Sequence, residues 1–132
     1  MSTAPVGPTA VIARRVRELR RRHGWTAADL GIRLSERGMK WDRFTVANLE
    51  NGRRQNVTVV ELLALAAVLD VAPVNLLVPL GSEPYQVTPD RTEDADSVRA
   101  WVRGEQPLLG ADPAAVRTFY AEAPLEDLRR PT

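Results

Sequence analysis

The chain contains no cysteine and a single histidine, His23. Without thiols there is no disulfide framework and no thiolate metal site, and a reducing compartment is compatible. Aromatic residues make up only 5% of the chain, and lysine occurs once, as Lys40 among 18 basic residues. No uninterrupted apolar run approaches the roughly 20 residues that a bilayer demands, so no membrane span is expected. The start, Met1-Ser-Thr-Ala-Pro-Val-Gly-Pro8, lacks a basic stretch followed by an apolar one. No secretory signal is therefore expected, and a cytoplasmic location fits best. Acidic clusters such as Glu93, Asp94 and Asp96 look like linker solvation rather than metal ligands, and no metal or cofactor is expected.

What is present suits one compact domain with an appendage: 132 residues, 44% hydrophobic and 27% charged. The net charge of +1 conceals an asymmetry. Residues 1–80 hold 12 basic against 7 acidic side chains, whereas residues 81–132 hold 6 against 10. The first part suits a polyanion and the second does not.

Residues 1–9, rich in Pro, Gly and Thr, read as a flexible arm. Ile12, Val16 and Leu19 then form the core stripe of a helix from about Ala10 to His23, with arginines over much of its remaining surface. His23 falls at the helix end, where a cation is favoured, so a capping role outweighs catalysis. After Gly24, Thr26 and Asp29 form a capping box, and Trp25 is placed to staple against Leu30. This second helix turns Leu30 and Leu34 inward and reaches about Arg37, before Gly38. Asp42 is the N-cap of a third helix, in which Val46 and Leu49 share the inward face and Gly52 supplies the stop. Arg43, Phe44, Ala47 and Asn48 fall on its free side. By itself this segment fits a polyanion-binding helix or an ordinary surface helix. A fourth helix spans Thr58 to Asp70 behind a Thr58…Glu61 capping box, with Val59, Leu62, Leu63, Ala66 and Leu69 as core positions. Val74–Val78 forms a fifth, between Pro73 and Pro79.

Beyond Gly81, Ser82 to Asp96 is polar, acidic and broken by Pro84 and Pro89, and reads as a linker. Asp96–Arg103 reads as a short helix with Val98 beside Trp101 and Val102. Asp112-Pro113 opens another that carries Val116, Phe119 and Tyr120. So few apolar residues would hardly fold alone, and they would pack on the main domain, on a second copy, or on nothing.

Arg17-Glu-Leu-Arg20, Trp25-Thr26…Asp29-Leu30, Val46…Leu49-Glu50-Asn51-Gly52-Arg53 and Leu69-Asp-Val-Ala-Pro-Val-Asn-Leu-Leu77 occur in order over residues 10–80. In these segments the chain resembles the Cro and phage-repressor helix-turn-helix family of bacterial DNA-binding proteins, the xenobiotic-response-element type. The resemblance implies an all-α, five-helix lambda-repressor-like domain over residues 10–80, followed by an acidic, partly helical tail over 81–132. It implies a sequence-specific transcriptional regulator that binds double-stranded DNA as a homodimer, with helix 3 (about 42–52) in the major groove. Arg43, Phe44, Ala47 and Asn48 would then meet base edges, and Asn51, Arg53 and Arg54 would meet phosphates. Arg20 would pair with Glu50 and tie helix 1 to helix 3. For Arg20 the alternative is a solvated member of a basic run.

Two departures stand out. Ala27 occupies the phosphate-contacting start of helix 2, where the family usually has a polar residue, so only backbone N–H groups could serve. The connection from Leu34 to Trp41 is longer, with six residues from Ser35 to Lys40, which leaves the docking angle of helix 3 open. The alternative function is a protein-interaction module that has kept the fold, with Phe44 and Trp41 on a partner surface. No enzyme is expected, since His23 has no evident nucleophile partner and residues 81–132 lack the lysine of a self-cleaving repressor tail. The tail is assigned to dimerisation or a protein partner, or alternatively to covering the basic face.

Overall fold

A computed structural model of the chain describes residues 4–124. Five helices come first: α1 (Pro8–Arg22), α2 (Ala27–Glu36), α3 (Arg43–Glu50), α4 (Val59–Leu69) and α5 (Val74–Leu77). A hairpin of β1 (Pro84–Thr88) and β2 (Arg91–Asp94) follows, then α6 (Ala95–Val102) and α7 (Pro113–Ala121). The largely all-α architecture is the expected one, with a two-stranded antiparallel sheet added.

Local chemistry sets the helix starts. Thr26 with Asp29, and Thr58 with Glu61, form reciprocal capping boxes, and Asp42 accepts the Thr45 N–H at 3.0 Å. Each cap satisfies backbone donors that a first helical turn leaves orphaned. At the end of α1, His23 stacks on Trp25 with centroids 4.1 Å apart, and its Nε2 lies 2.9 Å from the Leu69 carbonyl oxygen. Arg33 covers the other side of Trp25 at 4.1 Å. The long turn after α2 closes over Trp41, which is buried, and Ser35 Oγ donates to the Trp41 carbonyl. Gly31 permits this approach, because a Cβ there would come within 3.0 Å of the Asp42 backbone.

The main core joins Ile12, Val16 and Leu19 to Leu30, Leu34, Val46, Leu49, Leu65, Leu69 and Leu76. In α4 the inward stripe runs through Leu62, Leu65, Ala66 and Leu69, whereas Val59 and Leu63, expected inside, are 71% and 52% exposed. The segment Val59–Leu69 is apolar except for Glu61, so composition offered several stripes and packing against α1 and α2 selected one.

Three further expectations give way. Residues 4–9 are not a free arm: α1 begins at Pro8, and Val6 pairs in parallel with Tyr85. The Val6 N–H donates to Pro84 O, and Gln86 N–H donates to Val6 O at 2.8 Å. Pairing here satisfies backbone groups on the outer edge of β1. Met1 to Thr3 lie outside the described residues. The expected linker over Ser82 to Asp96 is the hairpin, with a bulge between Gln86 and Thr88. Nor is the boundary at residue 80 a break in packing, because Val11, Val78, Tyr85, Ala95 and Val98 form a second core across it. Of the three fates expected for the tail, residues 84–98 adopt docking on the main domain. Val98 is buried there, while Trp101 and Val102 are exposed.

Candidate nucleic-acid interface

Helix α3 is short, and both of its ends are fixed. Asp42 caps the first turn, and the Thr45 N–H and hydroxyl hold its carboxyl below the usual carboxylate range. Val46 and Leu49 are fully buried, which fixes the rotation of the helix about its axis. At the far end Glu50 meets Arg20 in a two-pronged ion pair, Nε to Oε2 at 2.7 Å and Nη2 to Oε1 at 2.8 Å. The two side chains are only 13% and 5% exposed, and Arg20 Nη1 also donates to the Trp25 carbonyl. Hydrogen bonding to Glu50 raises the Arg20 pKa further, against the cost of its burial. One guanidinium thus links α1, the turn before α2 and the end of α3.

With the inward face fixed, the opposite face is presented to solvent. Arg43, Phe44 and Asn48 are exposed, and Ala47 is half-buried. Phe44 is 63% exposed, with the Arg43 guanidinium 4.7 Å from its ring centroid. An exposed phenyl ring flanked by a guanidinium and an amide offers apolar contact, two donors in a fork and a donor–acceptor pair on one helix face. Gly52 takes a left-handed conformation, φ 77°, directly after α3, and leads to Arg53. Arg53 is exposed, and among the described residues no carboxylate lies in ion-pair range of it.

Arg54 has partners of its own within the protein. Its guanidinium sits 3.0 Å from Glu61 Oε2 and 5.0 Å from the Trp41 ring centroid. The side chain expected to meet a phosphate thus also holds the capping residue of α4. Burial pushes the Glu61 pKa up, but the Thr58 N–H and Arg54 outweigh it, so the net shift is down. Ala27, at the first position of α2, is half-buried against the main core. It offers no side-chain donor, so only backbone N–H groups that a first helical turn leaves without intrahelical partners could serve there.

One cluster had no role assigned from sequence. Arg14, Arg17 and Arg21 line an open groove that also includes Ala10, Asn51 and Gly52. Their spacing along α1 was visible, but the proximity of Asn51 and Gly52 was not. Among the described residues no group of three or more His, Asp or Glu side chains is placed to hold a metal ion, and no helix is long and apolar enough to cross a membrane.

A helix-turn-helix domain model matches residues 11–77, about half of the chain. Among solved structures, the chain is similar to a hypothetical transcription factor, NHTF, from Neisseria. That match has 30% identity over 55% of this chain and 77% of the other, with a TM-score of 0.48. It is also similar to the restriction-modification controller protein C.AhdI from Aeromonas hydrophila, at 34% identity over 52% and 94% of the two chains and a TM-score of 0.44. Comparison with curated proteins gives no significant match.

Proposed function

The chain belongs to the helix-turn-helix domain family, and from that premise we propose a sequence-specific regulator of transcription that works as a dimer on a two-fold-related DNA site. The observation that carries this reading is the division of α3. Val46, Leu49 and the Arg20–Glu50 pair hold one side, while Arg43, Phe44 and Asn48 stand free on the other. In the major groove, Arg43 offers a bidentate match to guanine O6/N7 and Asn48 one to adenine N6/N7, while Phe44 and Ala47 meet thymine methyl groups. Asn51, Arg53 and the backbone N–H groups beginning at Ala27 take phosphates and set register. Arg54 shapes the interface indirectly, by fixing the loop to α4.

Exposed apolar side chains support the dimer. Val59, Val60 and Leu63 form an uncharged face on α4, and Trp101 and Tyr120 remain open on the tail. A two-fold contact would set the recognition helices about 34 Å apart, one turn of B-DNA. Sedimentation equilibrium of Leu63→Glu and Trp101→Glu variants assigns the contact to α4 or to the tail. If both remain as dimeric as the parent, neither face is the interface.

The primary test is selection from a pool of random duplex DNA at moderate salt. A palindromic motif is expected, with Arg53→Ala weakening retention on every sequence and Arg43→Ala relaxing the preference at one position. Absence of any enrichment by the full chain would overturn the reading in favour of a protein-interaction module. That alternative loses one of its two anchor residues in any case, because Trp41 is core.

A further inference from the structure

Helix α1 carries six arginines, and their fates differ. Arg14 pairs with Glu83 of the tail, 2.9 Å away. Arg15 is buried, donating to the Asn75 carbonyl and to Glu18. Arg20 is spent on Glu50. Arg17 and Arg21 are exposed, and no carboxylate among the described residues lies in ion-pair range of either. They sit one helical turn apart on one face, about 6 Å between Cβ atoms in such a pair. Arg22, also exposed, does not line the same groove.

The surroundings of the pair give it a direction. Its groove is shared with Asn51 and Gly52, at the end of α3, and the Asn51 side chain has no hydrogen-bond partner among the described residues. The two carboxylates lining it, Glu18 and Glu50, are already neutralised by Arg15 and Arg20. Thr9, at the start of α1, reaches the loop after α3 through a hydrogen bond from its hydroxyl to the Gln55 carbonyl. Within the described residues, the acidic tail reaches α1 at Arg14 but leaves Arg17 and Arg21 uncovered. Two like charges kept side by side without a counter-ion repel, and a polyanion seated against them removes that penalty.

We propose that Arg17 and Arg21, together with the Asn51 amide, form a second phosphate-binding strip, which carries the DNA footprint from the end of α3 onto α1. The proposal rests on the DNA-binding reading above and extends it to a helix outside the two that define the motif. Contacts of this kind add affinity without sequence preference.

The test uses the full chain and two fluorescein-labelled duplexes, the selected site and a scrambled sequence, with anisotropy followed over about 50 to 200 mM salt. The variants are R17A/R21A, R17K/R21K and R53A, each checked by thermal denaturation. R17A/R21A is expected to flatten the plot of log affinity against log salt by roughly 1.8, about 0.9 for each lost phosphate contact. Its affinity should fall by roughly tenfold or more on both duplexes alike. R17K/R21K should restore most of the slope, because the interaction is one of charge. Hydroxyl-radical footprinting should lose protected sugars at the edge of the site only in R17A/R21A. A folded R17A/R21A protein with the parental slope and footprint, while R53A is impaired, overturns this proposal and leaves the DNA-binding reading standing. If the parent binds neither duplex in a salt-dependent way, both fall together.

Discussion

The two cores of this molecule meet on α1 and are made differently. The one beneath α3 is large and built from leucine, isoleucine and valine at helical spacing, with Ile12, Val16 and Leu19 as the α1 contribution. The one beneath the hairpin has five buried members, drawn from a helix, a loop, a strand, the start of α6 and its interior. That smaller core is supplemented by side-chain bonds to backbone carbonyls. Tyr85 OH donates to Leu77 O at 2.7 Å, Arg91 to Leu109 O, and Arg99 to the carbonyls of Pro79 and Gly81. Hydrogen bonds from charged donors contribute about 1.5 to 3 kcal/mol each, so they offset a deficit of apolar area. Helix α3 is thus positioned by a large apolar core and one buried ion pair, whereas the appended tail is positioned by a small core plus several long-range polar ties.

The largest test of that contrast is Leu49→Ala, which removes a fully buried side chain from α3. A loss of about 4 kcal/mol is expected. Because α1 contributes to both cores, thermal unfolding followed by far-UV and near-UV circular dichroism should remain one transition. A separate, unshifted transition for the tail would mean that the cores are independent. Next in size is Glu50→Ala, which leaves Arg20 buried without its partner and should cost about 3 kcal/mol. The Arg20→Ala/Glu50→Ala double variant should recover part of that stability but not DNA affinity, since α3 loses its tether. Full affinity in the double variant would show that the pair orients nothing.

In the smaller core, Val98→Ala should cost about 2 kcal/mol in denaturant unfolding, roughly half the effect of the α3 change. An equal or larger cost would remove the distinction between the cores. The smallest effect expected is that of Tyr85→Phe, about 1 kcal/mol, from the lost bond to Leu77 O. Burial pushes the Tyr85 hydroxyl from its ordinary value of 10.0 up to about 12. Its folded-state pKa is the higher one, so its contribution is complete below about pH 10 and fades as pH rises towards 12. Urea titrations of the parent across that window should show a decline that the phenylalanine variant lacks. Parallel curves would mean that Tyr85 ionises as freely folded as unfolded.

How much could be read from the chain depended on how local the determinant was. The caps at Thr26, Asp42 and Thr58 close within three residues, and the helices begin where those residues stand. The stripe of α4 was misread at Val59 and Leu63 because nearly every residue there is apolar and periodicity loses its contrast. The hairpin was missed because Pro84, Pro89 and the acidic residues of 82–96 hid a short alternation centred on Tyr85, whose inward direction comes from Val11 and Val78 rather than from its neighbours. The outward set Arg43, Phe44 and Asn48 follows directly once Val46 and Leu49 are known to face inward. The Arg20–Glu50 pairing was suggested by resemblance, since nothing in the spacing of 30 residues implies it.

Sequence alone determined where α2, α3 and α4 begin and which face of α3 is apolar, because those choices are made by hydrogen bonds and packing within a turn or two. It also determined that the first part of the chain carries the positive charge. Which arginines are free to act was decided only by the tertiary structure. Arg14, Arg20 and Arg54 find their carboxylates 69, 30 and 7 residues away. A guanidinium's availability is set by what the fold brings within about 4 Å of it, and no local pattern encodes that distance.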